Sequence, residues 1–229
     1  MRKVHRRSLF FAAVAILALV ASAVAQERPS GLLNSVELRQ LVERAEPADH
    51  TRLSAHFTAL GERYTAEAKR HVSMSRSFVG NPSRNLGTGM SAHCKRLADL
   101  NTQSATTVRE LAAYHEKLSS GAVATPPRDG ARFEGGAGAP EPTEKELTAL
   151  AAKASTPAEH RALEEYFLTL AKRYTTEANE HVMLAQVYRG TRIAQAAVHH
   201  DRLAALARDA AKEANEAAEM HKSLAAVAR

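Results

Sequence analysis

Eight of the eleven histidines in this 229-residue chain fall into four matched pairs: His50 with His160, His71 with His181, His93 with His199, and His115 with His221. A glutamate stands four residues before one member of each copy, Glu67 before His71 and Glu177 before His181. Residues four apart are neighbours on a helix face, so each Glu-x-x-x-His sets a carboxylate beside an imidazole. Imidazole and carboxylate together ligate Zn, Cu, Fe or Mn, and three such ligands with room for a water make an open metal site. The same groups can serve without metal, as a hydrogen-bonded polar layer that fixes helix register.

The stripe that carries them reads His50, Leu53, Phe57, Leu60, Tyr64, Glu67, His71, Met74, Phe78. It returns 110 residues later as His160, Leu163, Phe167, Leu170, Tyr174, Glu177, His181, Leu184, Tyr188. Alternating steps of three and four mark the buried seam of a packed helix. Twelve of 25 positions are identical between 48–72 and 158–182, and ten of 26 between 93–118 and 199–224. The chain is therefore a tandem duplication, and its two copies show which positions drifted together.

Each copy reads as a short helix (35–46; 143–154), a long helix (48–79; 157–189) and a returning helix (90–119; 193–227). Thr156-Pro157-Ala158-Glu159 carries a cap, a first-turn proline and a carboxylate three residues after the cap, while Gly80-Asn81-Pro82 and Gly190 are stop signals. Repeat 1 spans 26–119 and repeat 2 spans 143–229, joined by a Pro/Gly-rich linker at 120–142. No stretch alternates with period two, and aromatics are 5% of residues. The expected fold is all-α, a four-helix bundle built from two tandem helical hairpins, each preceded by a short helix.

In such a bundle Glu67, His71, His93, Glu177, His181 and His199 are expected to converge at one height as metal ligands, with Tyr64 and Tyr174 behind the carboxylates. Cys94 and His200 occupy one position in the two copies; both can ligate Zn or Cu, and both are read as edge residues beside the seam. His50, His115, His160 and His221 form a weaker second layer at the opposite end of the helices. His56, opposite Tyr166, has no chemical case, and Arg63 and Arg173 read as surface residues with packed stems. The arrangement resembles, in architecture, the ferritin-like and hemerythrin-like carboxylate–histidine bundles. It departs from them in its Glu-x-x-x-His spacing and in having two carboxylates rather than four, so no oxidase activity is carried over.

Residues 1–25 have the parts of a cleaved export signal: Arg2, Lys3, Arg6 and Arg7, the apolar run Leu9 to Val20, and Ala23-Val24-Ala25 before a mature start near Gln26. Arg6-Arg7-Ser8-Leu9-Phe10 resembles a twin-arginine signal, although the general secretory route is the favoured reading. A periplasmic or secreted location is expected. Lys+Arg number 31 against 25 Asp+Glu; without the four basic residues of the signal the balance is 27 against 25, or +2. A nearly neutral mature chain has no electrostatic pull toward nucleic acid or anionic membrane. One cysteine excludes an internal disulfide.

Phosphate-cradling loops, G-x-S-x-G, H-E-x-x-H and Cys-x-x-Cys-His are absent, and no reaction is indicated. Three readings follow. A metal-binding bundle for storage, sensing or redox work comes first, and a metal-free structural or interaction bundle, with a protein partner or a second copy left open, comes second. Non-covalent haem between two histidines is the least favoured.

Overall fold

The computed structural model describes residues 32–81, 84–120 and 142–228. The export signal at 1–25 and residues 121–141 of the linker lie outside them. The described chain is all helical: α1 (Ser35–Arg44), α2 (Pro47–Val79), α3 (Arg84–Leu118), α4 (Glu144–Lys153), α5 (Pro157–Arg189) and α6 (Ala196–Val227).

Four of the helix starts share one device. Asn34 Oδ1 accepts from the N–H groups of Val36 and Glu37 at 3.0 and 2.9 Å, and the Glu37 carboxylate accepts from the Asn34 N–H at 3.0 Å. Thr143 with Glu146 and Thr156 with Glu159 repeat the box for α4 and α5. At α2 an acid-only version operates, in which Asp49 accepts from the Glu46 N–H at 3.2 Å and is clamped by Arg44 at 2.6 Å. Pro47 and Pro157 sit in the first turns, where a missing N–H costs nothing. Between α1 and α2 the chain turns through Ala45 at φ 52°, the one left-handed non-glycine residue among those described.

α3 begins at Arg84, six residues before the Met90 start read from the pattern, because two glycines at 87 and 89 look like loop. Gly89 lies close to α6: a Cβ on it would stand 2.8 Å from the mobile end of the Met220 side chain, Cε. The start of α3 therefore lies against the end of α6.

α2 runs along α3, α5 along α6, and α3 against α6, a packing compatible with a bundle of the four long helices. The backbones of α2 and α5 stay more than 8 Å apart, and the short helices span that gap. α1 packs on α5 and α2, and α4 on α2 and α5.

Two apolar clusters show how the copies meet. One joins Met74, Phe78, Met90 and Cys94, from the turn between α2 and α3, to Leu163 and Phe167 at the start of α5 and Ala214 and Ala217 late in α6, with Leu147 and Ala151 of α4. The other joins Leu53, Phe57, Val108 and Leu111 to Leu184, Tyr188, Ile193 and Leu203, with Leu38, Leu41 and Val42 of α1. The pairs α2/α3 and α5/α6 thus pack head to tail, each end plugged by one short helix. Among the described residues no helix is long and apolar enough to cross a membrane.

His56 secures the α1 end. Its buried ring accepts the Leu33 N–H on Nδ1 at 3.0 Å, which requires a neutral imidazole. Burial, helped by the nearby Arg63 charge, pushes its pKa down from 6.5 to about 4. The folded value lies below the unfolded one, so the unfolded chain takes up the proton first; stability is full above about pH 6.5 and is lost as pH falls toward 4. Urea unfolding of the metal-free protein should show up to about 2 kcal/mol less stability at pH 5 than at pH 7.5 from this residue alone. In His56→Asn that part of the pH dependence should be missing.

Candidate functional site

The centre of the molecule is a cleft of about 910 Å³ between α2 and α5, roofed at one end by α1. Glu67 and Glu177 face it from opposite walls, and both are buried. Their partners come from the other repeat. Arg63 reaches Glu177 Oε1 at 2.5 Å, and Arg173 reaches Glu67 Oε2 at 2.9 Å. The Tyr64 hydroxyl donates to Glu177 Oε2 at 3.1 Å, and the Tyr166 hydroxyl approaches Glu67 Oε1 at 3.5 Å. Each arginine also lies over its neighbouring tyrosine ring, Arg63 over Tyr64 and Arg173 over Tyr174, at 5.5 Å. Burial alone would push the Glu67 carboxyl up, but His71, Arg173 and Arg70 together hold it well below the usual range. Burial, followed by the Glu177 charge, raises the Tyr64 hydroxyl, so it stays protonated and donates.

The six expected ligands do not gather. Glu67 and His71 stay together, Oε1 to Nε2 at 3.4 Å. His93 turns instead to α6, with Nδ1 2.8 Å from Glu213 Oε2 and 4.0 Å from Glu216 Oε2. His199 turns to α3, 3.6 Å from Glu110, and His181 Nδ1 lies 3.2 Å from His200 Nδ1. The reason is head-to-tail packing, which sends the turn of one repeat to the open end of the other. His71 and His181 consequently lie at opposite ends, and only the mid-helix glutamates meet.

Three further expectations are corrected. Cys94 and His200 are not edge residues: both are fully buried, while His93 is buried less deeply and His199 is partly exposed. Tyr64 serves Glu177 across the cleft rather than Glu67 one turn away, and the Tyr174 hydroxyl accepts from Asn101 at 2.6 Å. Arg63 and Arg173 are not idle surface residues but the counter-charges of the core. The second layer is likewise core: His50 and His115 meet Nδ1 to Nδ1 at 3.1 Å, and His160 and His221 at 3.3 Å.

Among the described residues one set of three potential ligands has its donor atoms within 4.8 Å of one another, His93, Glu213 and Glu216, and it could hold a metal ion. Arg96 now stands at it, with Nε 2.6 Å from Glu213 Oε1 and a terminal nitrogen 2.9 Å from His93 Nδ1, while Lys212 Nζ lies 3.9 Å from Glu216 Oε1. Burial pushes the Glu213 carboxyl up, and hydrogen bonds from Arg96 and His93 bring it below its ordinary value. Sequence reading missed Glu213 and Glu216, although Glu216 is identical to Glu110 in the aligned copies. The chain matches no known protein family, no curated protein and no solved structure.

Removing one partner of a buried ion pair strands the other. Arg63→Met should lower unfolding free energy by about 2 kcal/mol, less than a fully buried pair because Arg63 is partly exposed. The double variant R63M/E177Q should recover at least about 1 kcal/mol of the sum of the single losses, measured as a double-mutant cycle in urea.

Proposed function

We propose that the protein is an exported four-helix-bundle protein, two tandem hairpins in one chain, that binds a divalent transition metal ion through His93, Glu213 and Glu216. The observation that carries this reading is the convergence of three donor atoms from α3 and α6, one of them on a buried imidazole. Ligands on one ion, each about 2.0–2.2 Å from it, lie roughly 3–3.6 Å apart. The distances of 2.8 and 4.0 Å from His93 Nδ1 bracket that spacing.

Arg96 acts as the stand-in cation. Its side chain is half exposed, so it can swing to solvent while an ion takes over both carboxylates without leaving a buried charge. One imidazole and two carboxylates suit Zn, Mn or Fe(II). Export rests on the signal-like first 25 residues. Storage, delivery or redox work would follow from which ion the compartment supplies.

A second reading, a metal-free bundle held in register by its polar layer, is favoured by one observation at the other site. Glu67 and Glu177 are already neutralised by Arg173 and Arg63. In that layer the carboxylates act as cross-ties, not as ligands.

Titration of the mature chain with Zn(II) in a calorimeter tests the proposal. One equivalent should bind at pH 7.5; His93→Ala and Glu213→Gln should each abolish it, and Arg96→Met should tighten it about tenfold by removing the competing charge. Zn(II) uptake unchanged in His93→Ala, or no uptake at all, would overturn the assignment. The intact mass of the exported protein should correspond to a start near Gln26.

A further inference from the structure

The duplication lets one end of the central cleft be compared with the other. Toward α4, Glu67 is closed in by Arg173 at 2.9 Å, Arg70 and His71 at 3.4 Å each, and the Tyr166 hydroxyl at 3.5 Å. Toward α1, Glu177 holds Arg63 and the Tyr64 hydroxyl, with Arg173 Nε at 3.9 Å. The residues that match Arg70, His71 and Tyr166 in the aligned copies are Glu180, His181 and His56. All three line the cleft, and among the described residues none of them pairs with Glu177. A cation, an imidazole and a phenol close one end; an acid and two imidazoles leave the other open.

The open end holds polar groups that the fold does not use. His56 and His181 are both buried, and each has Nδ1 engaged, with the Leu33 N–H at 3.0 Å and with His200 Nδ1 at 3.2 Å. Each Nε2 is left without a hydrogen-bond partner among the described residues. On His56 that nitrogen carries the proton, because Nδ1 is the acceptor, and a buried N–H is costly to leave unmatched. Glu180 is half-buried and pairs with no cation; Arg63 acts on it only at a distance. Burial and the Glu177 charge push its carboxyl above the ordinary value. His56 and His181 are close enough for charge on one to disfavour charge on the other, and Glu180 is the next residue on α5, so the three share one stretch of cleft wall. Beside them the wall is apolar, formed by Leu33, Leu38, Phe57, Leu60 and Leu184.

From this asymmetry we infer that the α1 end of the cleft binds a small organic amine, its ammonium on Glu180, a neighbouring oxygen accepting from His56 Nε2–H, and its apolar body against Leu38, Leu60 and Leu184. The site is separate from the His93 cluster and takes a different chemical class, so either assignment can fail without the other.

The groups present select the ligand by exclusion as well. A metal ion is a poor match, since among the described residues no set of three ligand atoms includes Glu180 or His181. An anion would be set beside Glu177 and Glu180, where like charge is unfavourable. A hydrocarbon would leave Glu180 and the His56 N–H as they are. An ammonium answers the acid with charge-assisted hydrogen bonds and relieves the repulsion between Glu177 and Glu180. A cleft of about 910 Å³, with apolar walls and a few convergent polar groups, is of the size and kind that holds small molecules.

The test is a calorimetric titration of the mature chain at pH 7.5 with L-phenylalaninol, a cationic amine with a neighbouring hydroxyl and an apolar ring. Binding should saturate at one equivalent. Hydrocinnamyl alcohol, the same molecule without the amine, should bind at least about tenfold more weakly, and Glu180→Gln should weaken L-phenylalaninol by a similar factor. Glu180→Arg, which restores the residue of the first copy, should abolish binding, whereas His93→Ala should leave it unchanged. L-Phenylalanine separates the sources: tighter binding than the amino alcohol names a free amino acid, weaker binding names an amine with a neutral oxygen, and both support the site. Should Glu180→Arg fail to fold by circular dichroism, Glu180→Gln and the deaminated analogue decide. No saturable heat with either amine, equal affinity for hydrocinnamyl alcohol, or wild-type affinity in folded Glu180→Gln would overturn the inference.

Discussion

Two carboxylates buried near the middle of the molecule, each neutralised by an arginine from the other repeat, hold the architecture together. Without Arg63, Glu177 would lose its shortest ion pair in the wall of the cleft, and without Arg173, Glu67 would keep only Arg70 and His71 of its own helix. The pairing is reciprocal, so it is satisfied only when the two helix pairs lie head to tail in one register. It also explains the width of the cleft. Arginine and glutamate bridge a gap that α2 and α5 do not close with their backbones, and α1 and α4 cover what remains.

From that register the rest follows by geometry. Head-to-tail packing carries Tyr188 and His200 of the second repeat to the end that holds His50 and His115. By the same operation Phe78 packs on His221, and Cys94 joins Leu163 and Phe167, at the other end. The pseudo-symmetry is chemically incomplete, since Phe78 stands for Tyr188 and Cys94 for His200. One end therefore has more hydrogen-bonding capacity and the other has sulfur. The His93, Glu213 and Glu216 group runs from a buried imidazole out to an exposed carboxylate, whereas the paired imidazoles lie wholly in the interior.

Much of the fold could be read in the residues. The three-four stripe, the first-turn prolines and the Thr/Glu boxes place the long helices, because those signals act within a turn or two. The orientation of one repeat against the other was not legible, since a hydrophobic stripe says that a face is buried and not what covers it. The same limit hid which side chains His93 and Cys94 would meet. His93 and Cys94 are adjacent, about 100° apart on the helix, and a seam drawn through His93 rather than Cys94 turns the wrong one inward. Arg63 and Arg173 did carry a signal, being identical in both copies beside identical glutamates. Reading them as surface residues overlooked that a buried Glu needs a counter-charge. Glu213 had no such signal, because its counterpart is Thr107.

The head-to-tail arrangement is most directly tested by a spin-label distance between the turn end of α2 and the start of α5, with labels at Arg76→Cys and Arg161→Cys in a Cys94→Ser background. Packing of the kind described puts both labels at one end of the molecule, and pulsed double-resonance should give a single short distance below about 30 Å. Parallel packing would set residue 161 beside residue 51, twenty-five residues from 76 at 1.5 Å each, so a distance near 40 Å would contradict the account.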